Sequence, residues 1–137
     1  MSFPPKRTTP YNPGRQLVDG TDVNNIFDAY QSSQTMSPAG AVSQAGATVI
    51  NAALVEILAG AAASAVLLPI SYPGAEVLIL NNSSNSQQVF GTGADVVQFD
   101  TTTYAAAATG VSLASLRSAI YRCIKTGFWQ VIKTNGT

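Results

Sequence analysis

Few side chains in this chain of 137 residues could do acid–base or metal chemistry. There is no histidine, which removes the commonest general base and metal ligand. Cys123 is the single cysteine, so no intrachain disulfide or cysteine metal cluster is available. Its setting reads as a small buried strand residue. Asp95 and Asp100 form the closest acidic pair of the C-terminal two thirds. Five residues apart around a short apolar run, they fall on opposite faces of a regular strand and share no site. Gly91-Thr92-Gly93 lacks the lysine and the following helix of a phosphate loop. Asn81 and Asn82 match glycosylation sequons. The start MSFPPKRTT has no apolar signal core after Lys6 and Arg7, so neither secretion nor glycosylation is expected. The chain therefore reads as a non-enzyme without cofactor or metal. Contact chemistry remains. Asn81, Asn82, Ser83, Ser84 and Asn85 read as an exposed, uncharged loop tip, either simply solvated or able to hydrogen-bond a sugar stacked on Tyr72 or Tyr104.

The elements that must position this tip are short strands. In LPISYPGAEVLILNNSSNSQQVFGTG, from Leu68 to Gly93, Pro69, Pro73 and Gly74 stop one element and turn the chain. Glu76–Leu80 is a near-continuous apolar run. Gln87–Phe90 is a short return strand, and Gly91-Thr92-Gly93 turns again. Further runs predict strands over Thr48–Leu54, Ala65–Leu68, Asp95–Phe99 and Val111–Leu113, with a final pair over Ala119–Lys125 and Phe128–Lys133 turned at Thr126-Gly127. About eight short strands predict a mainly β chain, an antiparallel β-sandwich of jelly-roll type, over residues 47–137. In the final pair both faces carry apolar groups: Ala119, Tyr121 and Cys123 against Ile120 and Ile124, and Trp129 and Val131 against Phe128 and Ile132. Such strands must be covered on both sides, which predicts a second subunit.

Ala52–Ile70 is long, apolar and rich in alanine. Glu56, Gly60 and Ser64 interrupt it and Pro69 closes it, which speaks against a membrane span of about 20 strongly apolar residues. A helix, or two short strands joined around Ala59–Ala62, both fit.

The N-terminal part is different. Residues 1–20 hold Pro4, Pro5, Pro10 and Pro13 and too few apolar groups for a core, so an extended arm is expected. Residues 21–30 predict a short helix capped by Thr21 or Asp22, with Val23, Ile26, Phe27 and Tyr30 in one stripe. Two to three turns are unstable alone in water, so the stripe must dock on this chain's own core or on a partner. Residues 31–46 read as a Ser/Gln/Gly/Pro linker.

Charge is scarce: 10% of residues are charged and the formal net charge is zero, against roughly 25% charged in an average domain. A surface with so little repulsion is prone to association. Lys6, Arg7 and Arg15 lie in the arm, no Lys or Arg occurs between Tyr30 and Leu116, and Arg117, Arg122, Lys125 and Lys133 follow. Basic ends suit an acidic partner surface. A nucleic-acid role is not expected, since phosphate binding needs a denser basic patch.

VLLPISYPGAEVLILNNSSNSQQVFGTGADVV and AAAATGVSLASLRSAIYRCIKTGFWQVI together resemble a β-domain of tailed-bacteriophage virion proteins. The shared features are the Leu-Pro exit, the Pro-Gly turn, the strand ending in Asn-Asn, the Val-Phe-Gly strand, the Gly-Val-Ser-Leu segment and the Gly-x-Trp hairpin. This covers about half the chain. The resemblance implies a virion structural protein on the capsid exterior, made in the host cytoplasm. It further implies a capsid decoration (cement) protein that binds the major capsid protein as a homo-oligomer, a trimer rather than a dimer. The alternative is a head- or tail-fibre receptor-binding module. In the decoration reading Lys6, Arg7, Arg15, Val23, Ile26, Phe27 and Tyr30 contact the capsid.

Overall fold

Two turns announced by the sequence fix the frame of the protein. At Tyr72–Ala75 the Ala75 amide donates to the Tyr72 carbonyl at 3.0 Å, and Gly74 takes φ +89°. This is the positive φ that the third position of a Pro-Gly turn demands. At Thr126-Gly127, Gly127 has φ +79° and closes the final hairpin. The computed structural model describes residues 32–99, 102–104 and 110–133. The expected arm (1–20), the helix (21–30) and Asp100 lie outside the described residues.

Eleven strands are described: β1 (Ser33–Met36), β2 (Thr48–Val49), β3 (Leu54–Ile57), β4 (Ser64–Leu67), β5 (Glu76–Asn81), β6 (Gln87–Phe90), β7 (Val96–Phe99), β8 (Thr102–Tyr104), β9 (Val111–Leu113), β10 (Arg117–Lys125) and β11 (Phe128–Lys133). They form a seven-stranded sheet, β1-β3-β5-β10-β11-β7-β8, and a four-stranded sheet, β2-β4-β6-β9. The first six strands alternate between the sheets, and their neighbours within each sheet run parallel. The chain winds as a two-sided coil of three circuits, with partners such as Thr48 and Val66, or Leu54 and Leu78, 18 to 24 residues apart. The second half closes the coil with antiparallel strands: β10 on β5, β11 on β10, and β9 on β6.

The chain is thus mainly β with mixed sheets, and the expectation of antiparallel pairing is corrected. Five of the nine ladders among the described residues are parallel. The physical reason is the route of the chain. The connections after β1 to β5 carry it to the opposite sheet, and a strand reached after a full circuit runs in the direction of its predecessor.

Both sheets bury one face in a single apolar core. The larger sheet contributes Val55, Ile57, Val77, Ile79, Tyr121, Trp129 and Val131; the smaller contributes Val66, Val89, Val111 and Leu113, with Ile50 and Leu68 beside them. The period of two does the sorting. In β5 Val77, Ile79 and Asn81 point inward while Glu76, Leu78 and Leu80 point out. In β10 Ala119, Tyr121 and Cys123 are buried while Arg122 and Ile124 are exposed.

One open segment is resolved and one expected segment is corrected. Ala52–Ile70 holds β3 and β4 joined through residues 58–63, so the two-strand alternative stands. No helix among the described residues is long and apolar enough to cross a membrane. Residues 31–46, expected as a linker, contain β1, which pairs with β3 and buries Met36. The stretch after β1 is tied in as well. Ala61 N–H donates to the Pro38 carbonyl at 2.9 Å, and the Gln44 amide nitrogen donates to the carbonyls of Gly91 at 2.6 Å and Gly93 at 2.8 Å.

Candidate functional site: a polar seam and an aliphatic face

The expected tip, Asn81–Asn85, is not a projecting loop. Asn82 and Ser84 are exposed, but Asn81 and Ser83 are buried and Asn85 is partly so. Asn81 is the last residue of β5 and points into the molecule. Its Nδ2 lies 3.0 Å from the Ala114 carbonyl, 3.2 Å from that of Leu113 and 2.9 Å from that of Asn85. Its Oδ1 accepts from the Ser83 amide at 3.1 Å and the Ser83 hydroxyl at 2.6 Å. Asn85 Nδ2 donates to the Gly60 carbonyl at 2.9 Å. Gln87, fully buried, donates from Nε2 to the Ala61 carbonyl at 3.3 Å, and its Oε1 meets the Ser64 hydroxyl.

These groups form a polar seam at one end of the core, where β5 of one sheet meets β6, β9 and the 58–63 turn. Buried polar groups of this kind must be paired, and here they pair with one another. The expected exposed tip is corrected for Asn81 and Ser83. The Asn81-x-Ser83 spacing, in which a side-chain oxygen takes the amide two residues on, is the signal for the inward turn.

The structure also separates Tyr72 from the expected sugar-binding tip. Tyr72 is exposed, but it precedes β5 while Asn82 follows it. The six residues of β5 alone span roughly 20 Å. Tyr72 instead lines a groove of about 600 Å³ with Ile50, Leu54, Pro69, Leu78 and Ile120.

The remaining chemistry-bearing residues have structural partners. Asp95 precedes β7 and accepts from Trp129 Nε1 at 3.3 Å. Thr92 donates to the Leu68 carbonyl, and the carbonyls of Gly91 and Gly93 are held by Gln44. The Gly-Thr-Gly turn therefore packs the body together. Cys123 is buried, and its thiol pKa is raised by burial and then by the Asp95 charge. No cluster of three metal-ligating side chains occurs among the described residues.

Among the described residues, the outer face of the seven-stranded sheet keeps large aliphatic side chains exposed. Cα partners place Leu54, Leu78, Ile120 and Ile132 on one register line across β3, β5, β10 and β11. Leu54 and Ile132 are 46% and 43% exposed, and Leu80 and Ile124 on the same face are 39% and 55%. On the next line Arg122 meets Glu76 Oε2 from Nη2 at 2.6 Å and from Nε at 2.9 Å. Both partners are about half exposed, so the pair contributes little to stability. The sequence signal was the apolar residues on both sides of the last two strands. The inner set is in the core, and the outer set faces outward. The groove opens at one edge of this face, since Leu54, Leu78 and Ile120 line both. The basic arm residues Lys6, Arg7 and Arg15 and the stripe Val23, Ile26, Phe27 and Tyr30 lie outside the described residues. No protein-family model, curated protein or solved structure matches this chain.

Proposed function

We propose that this chain is a virion structural protein of the tailed-bacteriophage type, a capsid decoration protein that binds the major capsid protein and stabilises the head from outside. The observation that carries the reading is a body whose polar groups are consumed in holding it together, while a weakly charged sheet keeps an aliphatic face exposed. Such a surface suits permanent assembly better than a free monomer. The turn-and-strand resemblance between Val66 and Ile132 supports the same reading. In it the two sheets form a β-sandwich, with the jelly-roll likeness belonging to the resemblance. The same reading takes residues 1–20 as the expected extended arm and residues 21–30 as the expected short helix.

The anchor is the N-terminal stretch. Lys6, Arg7 and Arg15 meet an acidic surface of the shell, and the Val23/Ile26/Phe27/Tyr30 stripe adds the apolar contact. Each contact is modest, and repetition over a lattice through a homo-oligomer multiplies them. Bridging of neighbouring capsomers then opposes the outward pressure of packaged nucleic acid, with no catalysis, cofactor or direct nucleic-acid contact.

The test deletes Met1–Tyr30, confirms by circular dichroism that the β-body is folded, and measures occupancy on undecorated capsids. Loss of most binding is expected. Unchanged occupancy and salt sensitivity would remove the anchor from the N-terminal stretch. The fibre reading predicts a handful of copies per particle where decoration predicts hundreds, and quantitative gel analysis of purified particles separates them.

A further inference from the structure

We propose that the outer face of the seven-stranded sheet is a self-association surface, on which a second copy of this chain docks face to face about a two-fold axis running along the strands between β5 and β10. This names the contact behind the oligomer in the reading above. It stands on the face itself, and its test needs no capsid.

The residue pattern on this face is self-complementary. The strand order β3-β5-β10-β11 is symmetric about the gap between β5 and β10. Half a turn about an axis in that gap lays β5 over the partner's β10 and β3 over the partner's β11. The aliphatic line then falls on itself: Leu78 opposes the partner's Ile120, and Leu54 the partner's Ile132, while the reciprocal contacts form on the other side.

The neighbouring line is self-complementary as well. Glu76 on β5 and Arg122 on β10 are Cα partners, so the same rotation sets Glu76 over the partner's Arg122 and Arg122 over the partner's Glu76. Two ion pairs become a four-membered alternating cluster, in which each charge gains a second opposite neighbour. No other placement of the axis keeps both matches. An axis between β10 and β11 sets Arg122 over the partner's Gln130. An axis at right angles to the strands sets Glu76 over Leu80. An isologous contact of this kind is what closed two-fold symmetry requires.

The dimensions agree. Stacked sheets lie about 10 Å apart, the thickness of two interdigitating aliphatic layers. The four strands present roughly 300 Å² of flat sheet, and the flanking β1 and β7 extend it to roughly 500 Å² per copy, the low end for a specific interface. The expected dissociation constant is therefore on the order of 10 µM. The order differs from the trimer implied by the virion resemblance.

The test is sedimentation equilibrium of the full-length protein from about 1 to 300 µM, a range set to bracket that affinity. A monomer–dimer equilibrium is expected. Ile132→Lys and Arg122→Glu should each weaken it by about tenfold or more, because each buries an unmatched charge. The double exchange Glu76→Arg with Arg122→Glu keeps the alternating pattern and should restore association. Val42→Lys, on an exposed residue of the 40–46 loop, should leave it unchanged. Far-ultraviolet circular dichroism and the emission of buried Trp129 confirm that every variant is folded. A monomer at every concentration overturns the proposal and leaves the face to residues 21–30 or to another protein. A trimer overturns the two-fold arrangement. A dimer indifferent to Ile132→Lys overturns the choice of face.

Discussion

Removing one oxygen from the centre of the core should stabilise this protein. Tyr121 lies on β10 between Val77 and Val131 in register, is fully buried, and its hydroxyl has no hydrogen-bond partner among the described residues. A buried polar group left unpaired costs about 1–3 kcal/mol. Tyr121→Phe removes that cost and leaves a gap of one oxygen, whose lost dispersion contacts come to a few tenths of a kcal/mol. The net gain is about 1 kcal/mol, worth roughly 4–8 °C in Tm for a body of this size. The same burial raises the phenol pKa far above its ordinary value. Unfolded Tyr121 ionises near pH 10 while the folded phenol stays protonated. Above pH 10 the unfolded state therefore binds fewer protons, and stability falls as pH rises toward the folded pKa. By pH 11 this loss amounts to about 1.4 kcal/mol and is absent from the phenylalanine variant. Urea unfolding at pH 8 and pH 11 measures both effects. A Tyr121→Phe protein less stable than the parent by about 1 kcal/mol or more, a full reversal of the expected sign, would refute the reasoning. It would mean that the hydroxyl is bonded, for example to a buried water.

Asn81→Ala strips the donor from three carbonyls and the acceptor from Ser83 at the polar seam, and should cost about 3 kcal/mol in denaturant unfolding. Asn82→Ala, one residue away and exposed, should cost less than about 0.5 kcal/mol. Gly60→Ala should destabilise by about 1–3 kcal/mol, because a Cβ there would sit 2.2 Å from the Gln87 amide nitrogen, inside the same network. If Gly60→Ala unfolds at the parent's midpoint, Gln87 has room to move and the seam is looser than its contacts indicate.

Most strands were legible because their signals are local. Gln87–Phe90, Val111–Leu113 and Phe128–Lys133 fall where apolar runs end at turn residues, and Pro73-Gly74 and Thr126-Gly127 turn as their chemistry requires. β1 was not legible. Ser33-Gln34-Thr35-Met36 has one apolar residue and no alternation, and it is a strand because β3 offers a parallel edge. The direction of pairing was hidden for a related reason. Only a two-residue turn such as Thr126-Gly127 dictates an antiparallel neighbour. The longer connections at 58–63 and 82–86 look the same whether the chain turns back or crosses to the other sheet. The inward turn of Asn81 was written in its spacing to Ser83, yet polarity alone reads it as solvent-facing. The outer aliphatic face was present as residues with apolar groups on both sides of a strand, though which side the core takes depends on sheet order.

The winding of the first six strands has a consequence for how the protein comes to be made. Every ladder in that half joins residues about twenty positions apart, with no hairpin to start it, so each must close a sizeable loop before any pairing is gained. The Thr126-Gly127 hairpin has no such barrier and should form within microseconds. Yet this hairpin leaves the ribosome after the nine strands that precede it here, and β5 can settle against β10 only once it has emerged. Synthesis thus runs opposite to the favoured order of folding. The outer edges of β5 and β6 must wait unpaired until β10 and β9 arrive to cover them. Shielding during that interval, by a chaperone or by prompt assembly, is the cellular requirement that this topology sets.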